Sequence, residues 1–551
     1  MFKKGIRFDF WTFVGLLSLV FFGLFLIIPV ARMLFYSLQT GDPGEILSLK
    51  NFVKFFSRPY YTRALTNSVK VVLCATVLVT LIGVPLAYIM TMFKIRGAKL
   101  INILVVISML SPPFLGAYSW ILMFGRSGDI TKLLESIGLK IPSIYGFGGI
   151  LLVFVLKLFP YIYMYTKGAL KKVDESLNEA AESLGDHGIK RILKVSLPLV
   201  LPTILAGCTI VFLRAFADYG TPRIIGEGYM TMPVIVYQEW VSETGSNAYF
   251  ASTAAMIMIA VAAAVFLLQK YITSRKNYTM SMLNPPKAKQ LHGAANFFAH
   301  LYVYVIAILA TLPQFYIIFI SFRNTKGTMW APGYSFMNYV NVFSKSLKSI
   351  LNTFEFGIIA IIIMVILGTL FAYFTVRKSN ALAKVLDVFI MFPYVIPGTI
   401  FGLLLLMTYN SPPIVLSGTA AIIIISYVIR RMPYTVRSSA AILRQISPSI
   451  DEASASLGYG SMSTFFKVTL PVMVPGVVSG AILSWITTLN ELSSTLMLYT
   501  GRTQTMTVTI FQEISRGGYG TAAALSTILT VTMVLSLLIF FRITNSEDID
   551  L

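Results

Sequence analysis

The stretch NEAAESLGDHGIKRILKVSLPLVLPTILAG, residues 178–207, joins a polar segment broken by glycine to an apolar segment that opens with Leu-Pro. A second stretch, DEASASLGYGSMSTFFKVTLPVMVPGVVSG, residues 451–480, repeats the same order. Glu179 corresponds to Glu452, so matching residue numbers differ by 273 (452 − 179). Repetition of so specific a pattern indicates an internal duplication. The same difference relates three further pairs: Gly185 and Gly458, Pro198 and Pro471, and Gly207 and Gly480.

The composition is that of a membrane protein. Of 551 residues, 56% are hydrophobic and only 12% are charged, whereas soluble domains are about a quarter charged. Apolar runs of about 20 residues recur along the chain, and each can cross the hydrocarbon core as a helix. We therefore predict an all-α polytopic membrane protein with about twelve transmembrane helices, centred near residues 23, 79, 112, 157, 207, 261, 309, 364, 396, 422, 479 and 531.

The duplication extends upstream of the quoted stretches. There Pro112 corresponds to Pro397, a difference of 285 (397 − 112), because the loop after the third span is longer in the first half. Each half holds about six spans, and an even number keeps both halves in the same orientation. We predict two parallel six-helix repeats, residues 1–285 and 286–551, joined by a polar linker at 274–296.

The net charge of +21 follows the predicted topology. An N-terminus in the cytoplasm, with Lys3, Lys4 and Arg7, places an excess of Lys and Arg in cytoplasmic loops, as the positive-inside rule describes. The membrane topology thus accounts for much of the charge, and we expect no nucleic-acid partner. The same orientation makes the C-terminus cytoplasmic, together with the loops at about 168–196 and 441–469.

The sequence offers no metal centre or disulfide framework. Cys74 and Cys208 both fall inside predicted spans, and two lone thiols make a poor metal site. None of the three histidines has a His, Cys or acidic partner at metal-ligand spacing. We therefore predict neither a metal centre nor catalysis by this chain.

Each repeated loop predicts two short helices followed by the next span. The first helix has small residues on one face, which would let another backbone approach closely. Gly185 and Gly458 are expected to adopt the left-handed conformation that ends a helix. Pro198 and Pro471 stand where a span begins, and a missing N–H costs little there.

This spacing resembles the EAA loop of ABC-importer permeases: Glu-Ala-Ala, three residues, Gly, nine residues, an apolar residue, one residue, then Leu-Pro. The motif in the first copy comprises Glu179, Ala180, Ala181, Gly185, Leu197 and Pro198. The motif in the second copy comprises Glu452, Ala453, Ser454, Gly458, Leu470 and Pro471, in which serine replaces the third small residue.

The resemblance implies a type I importer in which both permease subunits are fused in one chain. In that family the loop is the coupling helix that docks on an ATPase subunit. The chain contains no G-x-x-x-x-G-K-[ST] phosphate loop, so ATP and Mg would be bound by the partner. The implied partners are two ATPase copies, an extracytoplasmic substrate-binding protein and the lipid of the bacterial cytoplasmic (inner) membrane. An ion-coupled secondary transporter is the alternative, but it gives no reason to duplicate this loop.

Two acids stand at equivalent positions after the fifth span of each half, Asp218 and Glu491. A carboxylate near a span is a candidate for the translocation path, and Arg214 and Tyr219 lie beside Asp218. Each acid could also cap a helix, and Asp218 could pair with Arg214. An anionic substrate would instead favour Arg214, Arg223 and Arg502 as the residues that contact it.

The sequences ADYGTP (217–222) and ELSSTLMLYTGRTQTMTVTIF (491–511) resemble the ferric-iron branch of these permeases. Hard oxygen ligands suit Fe(III). The resemblance therefore favours ferric iron as substrate, with polyamine, 2-aminoethylphosphonate-like phosphonate and thiamine as alternatives. The polar segments 38–65 and 323–350 would lie outside and are expected to dock the binding protein.

Overall fold

The computed structural model describes residues 10–41, 47–241, 247–274, 284, 286–378 and 380–544. The basic residues of the predicted cytoplasmic N-terminus, residues 275–283 and 285 of the linker, and residues 42–46 of the predicted outer segment 38–65 lie outside the described residues. Within the described part the fold is helical, with a single two-stranded sheet.

The helices and strands of residues 10–334 are these: α1 (Phe10–Phe22), α2 (Ile28–Ser37), α3 (Lys50–Ser57), α4 (Pro59–Met92), α5 (Ala98–Leu110), α6 (Pro113–Phe124), α7 (Asp129–Ser136), α8 (Phe147–Leu170), α9 (Glu175–Ser183), α10 (Gly188–Arg191), α11 (Leu197–Phe216), α12 (Gly220–Ile225), α13 (Met232–Val241), α14 (Ala248–Ser274), α15 (Gly293–Ile320), β1 (Arg323–Lys326) and β2 (Met329–Tyr334).

The helices that follow the strands are α16 (Met337–Lys345), α17 (Leu347–Arg377), α18 (Ala381–Met391), α19 (Gly398–Thr408), α20 (Ala420–Gln445), α21 (Ser449–Ser456), α22 (Ser461–Thr464), α23 (Leu470–Leu489), α24 (Thr495–Leu498), α25 (Met506–Arg516) and α26 (Tyr519–Thr544). Short π-helical or 3-10 turns occupy Gly23–Ile27, Ile192–Ser196, Phe392–Tyr394 and Phe465–Thr469.

The described residues form two compact units. The N-core unit contains residues from 50–338 and 514–527, and the C-core unit contains residues from 10–49, 339–513 and 528–544. These units are not the two sequence repeats, because the first membrane helix of each repeat packs in the unit built mainly from the other repeat. The repeat boundary of the sequence is thus a boundary of homology and differs from the boundary of packing.

The continuous helix of α1 and α2 packs in the C-core unit through aromatic and polar contacts. The Trp11 ring stacks on Tyr373 with centroids 4.2 Å apart and meets Phe465 edge-on. Tyr409 donates a hydrogen bond of 2.6 Å to the carbonyl of Leu24, in the π-helical turn that joins α1 to α2. The helix is therefore fixed to second-repeat elements at its start and near its middle.

The helix α15 holds the corresponding place in the N-core unit. Tyr302 donates to the carbonyl of Ile82 in α4 at 2.9 Å, and Ser119 in α6 donates to the carbonyl of Pro313 at 2.9 Å. These two hydrogen bonds tie α15, a second-repeat helix, to two first-repeat helices.

The third span of each repeat is bent sharply. The segments Ala98–Met109 and Phe114–Ser136 meet at 100°, and the segments Ala381–Tyr394 and Gly398–Thr408 meet at 111°. Each break contains the proline that the duplication aligns, Pro112 or Pro397. Proline has no N–H and disfavours helical geometry at the residue before it, so a break at this position is expected.

The predicted count of about twelve spans is close to the number of helices that meet a measure of length and hydropathy. Nine helices in the described part of the chain meet this measure, or eleven if each bent pair is one span. The helix at the remaining predicted position is α20, which has 26 residues but carries Arg430, Arg431 and Arg437. Charged side chains inside the helix lower its hydropathy, although its place in the repeat matches that of α8.

Glycines allow the central helix of each repeat to be approached closely. A Cβ on Gly83 would lie 2.9 Å from the Cβ of Ile162 where α4 crosses α8. A Cβ on Gly368 would lie 3.0 Å from the Cγ2 of Thr435 where α17 crosses α20. These positions are equivalent in the duplication, so the repeat conserves the crossing as well as the loops.

Candidate functional site

The two repeated loops fold in the same way. The helices α9 and α21 end just before Gly185 and Gly458, whose φ angles are 84° and 86°. The predicted left-handed turns are therefore confirmed. In both loops the glycine and the residue after it donate backbone hydrogen bonds back into the last turn of the helix, which is the Schellman arrangement. Apart from the chain neighbours, no heavy atom of the described residues lies within 4 Å of a Cβ added to either glycine, so the backbone angle and not crowding favours glycine.

A side-chain pin closes each loop at the same two positions. In the first loop Ser196 donates to Asn178 Oδ1 at 3.1 Å, and in the second loop Thr469 donates to Asp451 Oδ1 at 2.8 Å. These residues directly precede the motif glutamate and the Leu-Pro pair. The pin therefore fixes the start of the loop helix against the start of the next membrane helix. The sequence comparison missed it, although a polar residue recurs at both positions.

The motif residues that precede the Leu-Pro pairs divide into a buried and an exposed set. Ala181 and Ser454 are buried, and the Ser454 hydroxyl shares a hydrogen bond of 2.9 Å with Thr464. This contact accounts for serine in place of alanine in the second copy. The exposed residues are Glu179, Ala180, Gly185, Glu452, Ala453 and Gly458.

Each loop presents a large apolar side chain to its surroundings. Leu184 is 86% exposed and Leu457 is 79% exposed, directly before the left-handed glycines. Further apolar residues beside them are also exposed at equivalent positions, Ile189 with Met462 and Leu193 with Phe466. A repeated exposed apolar patch on a polar loop is typical of a surface that binds another protein.

The turn after the first loop helix carries a local charge cluster. Asp186 pairs with Lys190 at 2.5 Å and with Lys194 at 3.2 Å. Hydrogen bonds from Lys190 and Lys194 hold the pKa of the Asp186 carboxyl below its ordinary value. The carboxylate thus stays charged and holds the turn at neutral pH.

The Leu-Pro pairs begin the fifth membrane helix of each repeat. Leu197 and Pro198 are the first residues of α11, and Leu470 and Pro471 are the first residues of α23. A π-helical turn precedes each pair. Proline cannot donate to the ladder, so the irregular turn falls where the hydrogen bond is missing.

Asp218 has the geometry of a helix cap. Its Oδ1 accepts from the backbone N of Gly220 at 3.0 Å, at the start of α12. Arg214 lies over the Tyr161 ring, 4.4 Å from its centroid, and Tyr219 packs against Tyr237. The candidate residues Asp218, Arg214 and Tyr219 are thus in one region of the N-core unit.

Glu491 is buried, with 3% of its side chain exposed, and binds two arginines of α20. Arg430 Nη1 lies 2.7 Å from its Oε1, and Arg431 Nη2 binds its Oε2. The Oε1 atom also accepts from the backbone N and the hydroxyl of Ser494. Glu491 therefore caps the turn before α24 and joins two guanidinium groups.

The basic residues of the fourth span were missed by the sequence analysis. Lys157 is buried in α8 and donates to the carbonyls of Ser108 and Ser111 at the break in the third span. Lys157 and Arg430 also differ by 273 (430 − 157), and both stand three residues before the shared Pro-Tyr pair. The duplication therefore contained the signal, a basic residue that recurs at one position of the fourth span, and in the second repeat this residue, Arg430, binds the acid after the fifth span.

The hairpin of β1 and β2 lies in the predicted outer segment 323–350. It borders a cavity of about 470 Å³ in the N-core unit. Arg323 pairs with Asp129 at 2.9 Å and lies over the Trp330 ring, and Tyr316 donates to the same aspartate at 2.7 Å. Tyr334 completes one wall and is 62% exposed.

The family model described as "Binding-protein-dependent transport system inner membrane component" matches residues 80–278 and 364–546, more than half of the chain. The chain belongs to this family. Each match contains one repeated loop, so the predicted fused, two-repeat ABC importer permease is confirmed at the level of the family. The protein is accordingly a multi-pass inner membrane protein and a transport subunit. This membership favours the importer over the ion-coupled secondary transporter.

Similar proteins include the "Ferric transport system permease protein FbpB" of Actinobacillus pleuropneumoniae, 27% identical over 98% of this chain and 78% of that protein. The "Putative 2-aminoethylphosphonate transport system permease protein PhnU" of Salmonella typhimurium is 28% identical over 43% of this chain and 83% of that protein. A solved bacterial alginate ABC transporter, in complex with a periplasmic protein bound to an alginate pentasaccharide, is 16% identical with a TM-score of 0.40, covering 48% of this chain and 94% of that one.

Proposed function

We propose that this permease forms the whole membrane part of an ATP-driven importer, with one copy of a separate ATPase subunit docked on each repeated loop. The observation that carries the proposal is the equal geometry of the loops, each ending at a left-handed glycine beside an exposed leucine. The two loops and both termini lie in the cytoplasm. ATP and Mg are bound by the ATPase, and this chain binds no cofactor.

The outer docking site for a substrate-binding protein is formed by the segments 38–65 and 323–350. The family name and the exposed hairpin with Arg323, Trp330 and Tyr334 support this assignment. The motif residues of both loops act in coupling, and Asp218, Arg214, Tyr219 and Glu491 line or support the translocation path.

Copurification with the ATPase tests the docking surface. The wild-type chain should retain two ATPase copies, Leu184→Glu or Leu457→Glu should retain about one, and the double variant should retain none. A charge placed in an apolar contact removes burial and adds a desolvation cost of several kcal/mol. Leu133→Glu is the matched control, because Leu133 is 64% exposed on α7 outside the loops. One ATPase copy per active wild-type chain would refute the proposal.

Ferric iron is the substrate that the similarity favours. The ferric permease matches this chain along 98% of its length, whereas the phosphonate permease matches one half. The acids support iron less strongly, because Glu491 already binds Arg430 and Arg431. That excess of guanidinium over carboxylate favours an anion, so a 2-aminoethylphosphonate-like substrate is the second candidate.

Uptake by cells that carry the complete transporter separates these substrates. Radioactive ferric iron should accumulate in an ATP-dependent manner, and excess 2-aminoethylphosphonate, polyamine or thiamine should not compete. A strain that carries the Leu184→Glu, Leu457→Glu double variant gives the background level of uptake. Competition by the phosphonate without iron uptake would support the second candidate instead.

A further inference from the structure

The linker between the repeats packs along the end of α4 in the N-core unit. Lys289 N donates to the carbonyl of Met92 at 2.8 Å, and Lys94 N donates to the carbonyl of Lys289 at 3.0 Å. These two bonds form a short parallel bridge between the linker and the residues after α4. The linker at this point is thus an ordered part of the fold.

The same stretch of linker also binds the first repeated loop. Glu175, the first residue of α9, donates its backbone N–H to the carbonyl of Asn284 at 2.8 Å. Its carboxylate lies 3.5 Å from the Lys289 ammonium and accepts from Asn178 Nδ2 at 3.0 Å. Asn178 is the residue pinned by Ser196. The linker is therefore connected to both ends of the loop.

The second loop is tied to the preceding membrane helix in a different way. Arg377, the last residue of α17, pairs with Asp451 at 2.9 Å and donates to the carbonyl of Ile446. Asp451 is pinned in turn by Thr469. One side chain thus joins the end of α17 to the start of the loop helix.

The duplication relates these two arrangements residue by residue. Arg377 corresponds to Met92 (377 − 285), and Asp451 corresponds to Asn178 (451 − 273). The first repeat therefore lacks both members of the ion pair found in the second. Lys289 binds the backbone at Met92, where the missing arginine would stand, and presents its ammonium to Glu175.

We propose that the linker supplies to the first loop the cation that Arg377 supplies to the second. Lys289 and Glu175 form a latch that transmits movement of the first loop to the end of α4, and Arg377 and Asp451 form the equivalent latch to α17. Both pairs are positioning residues for coupling. The inference rests on the proposed docking of the ATPase at these loops.

Hydrogen exchange of the purified full-length chain tests the latch itself. Lys289→Ala should speed amide exchange in α9 by about threefold, the scale expected for an exposed ion pair, and leave α21 unchanged. Arg377→Ala should do the reverse. Lys287→Ala, two residues earlier on the same exposed linker, is the matched control, and Lys289→Arg should restore normal exchange.

ATP hydrolysis by the complex with its ATPase tests the role in coupling. Lys289→Ala should reduce hydrolysis by about threefold, and adding Met92→Arg with Asn178→Asp should restore it, because these changes rebuild the latch of the second repeat. Unchanged exchange, unchanged hydrolysis or failure of this rescue would each overturn the inference. If the wild-type chain binds no ATPase, the proposed function fails, whereas the exchange comparison still decides whether the latch exists.

Discussion

A single backbone angle limits the side chain at the end of each loop helix. Gly185 and Gly458 have φ angles of 84° and 86° and ample space around them. Asparagine tolerates this conformation, whereas a β-branched residue is strained by it. Whether a substitution at these glycines is tolerated should therefore depend on the backbone preference of the new residue and not on its size.

We expect Gly458→Asn to retain ATPase binding and Gly458→Val to weaken it, because valine in the left-handed region costs about 1–2 kcal/mol or more. The corresponding pair at Gly185 should behave alike. The measurement is the amount of ATPase retained by purified chains at equal protein level. Equal loss with asparagine and valine would show that the glycine is required for contact and not for its angle.

Glu491 is the residue whose loss should harm folding most among the four path candidates. Glu491→Gln leaves Arg430 and Arg431 buried without an anionic partner, and breaking a buried pair costs about 3–5 kcal/mol. Asp218→Asn should cost less, since an amide oxygen can still accept from Gly220 N. Thermal unfolding in detergent measures both.

A second substitution provides the control for this comparison. Adding Arg431→Leu to Glu491→Gln removes one unpaired guanidinium and should recover part of the lost stability. No recovery, or equal melting temperatures for Glu491→Gln and Asp218→Asn, would contradict the assignment of Glu491 as the centre of a charge cluster.

Helix crossings differ in how closely equivalent glycines meet their neighbours. A Cβ on Gly480 of α23 would lie 2.7 Å from the Cα of Thr435, whereas a Cβ on Gly207 of α11 would lie 3.0 Å from the Cδ1 of Ile162. Backbone atoms cannot give way as the tip of a flexible side chain can. The second repeat is thus packed more tightly at this crossing.

Alanine at these two positions should therefore have unequal effects. Gly480→Ala should destabilise the fold by about 1–3 kcal/mol, the usual cost of overpacking, and Gly207→Ala should be nearly neutral. The loss of folded protein after heating in detergent provides the measurement. A larger effect at Gly207 would mean that the two crossings are not packed as described.

The exchange of first helices links each repeat to the other. Trp11 lies in the first repeat by sequence but is buried against Tyr373 and Phe465, and Phe465 opens the turn that leads from the second loop to α23. A destabilising substitution in α1 should therefore destabilise the second repeated loop.

Trp11→Ala should cost about 3–5 kcal/mol and speed hydrogen exchange in α17 and α21 while sparing α4 and α9. Trp120→Ala is the matched control, because Trp120 is 5% exposed in the N-core unit and packs on Phe124. It should loosen the N-core unit instead. Faster amide hydrogen exchange in α9 after Trp11→Ala would contradict the packing of α1 in the C-core unit.

Features that depend on neighbouring residues in the sequence could be predicted. Features that depend on which distant helix or side chain a residue packs against could not. The left-handed turns at Gly185 and Gly458 follow from helix-end preferences, and the breaks at Pro112 and Pro397 occupy the centres of predicted spans. No local pattern says which core an apolar helix such as α1 will join. The pairing of Glu491 with Arg430 can be predicted only by comparing acidic and basic positions in different spans, because the positions of the acids alone do not indicate it.

Because synthesis begins at the N-terminus, α1 is made long before the second-repeat helices that it packs against. Trp11 is made about 360 residues before Tyr373, and at about 5–20 residues per second this interval lasts about 20–70 s. During that time α1 must remain in the bilayer among lipids or assembly factors, with the ring that later becomes buried still uncovered. Its apolar outer face, which includes Phe13 and Val20, is suited to lipid throughout. Assembly of the C-core unit therefore cannot be completed before the second repeat has been synthesised, and a chain that stops early leaves the Trp11 ring without its aromatic partners.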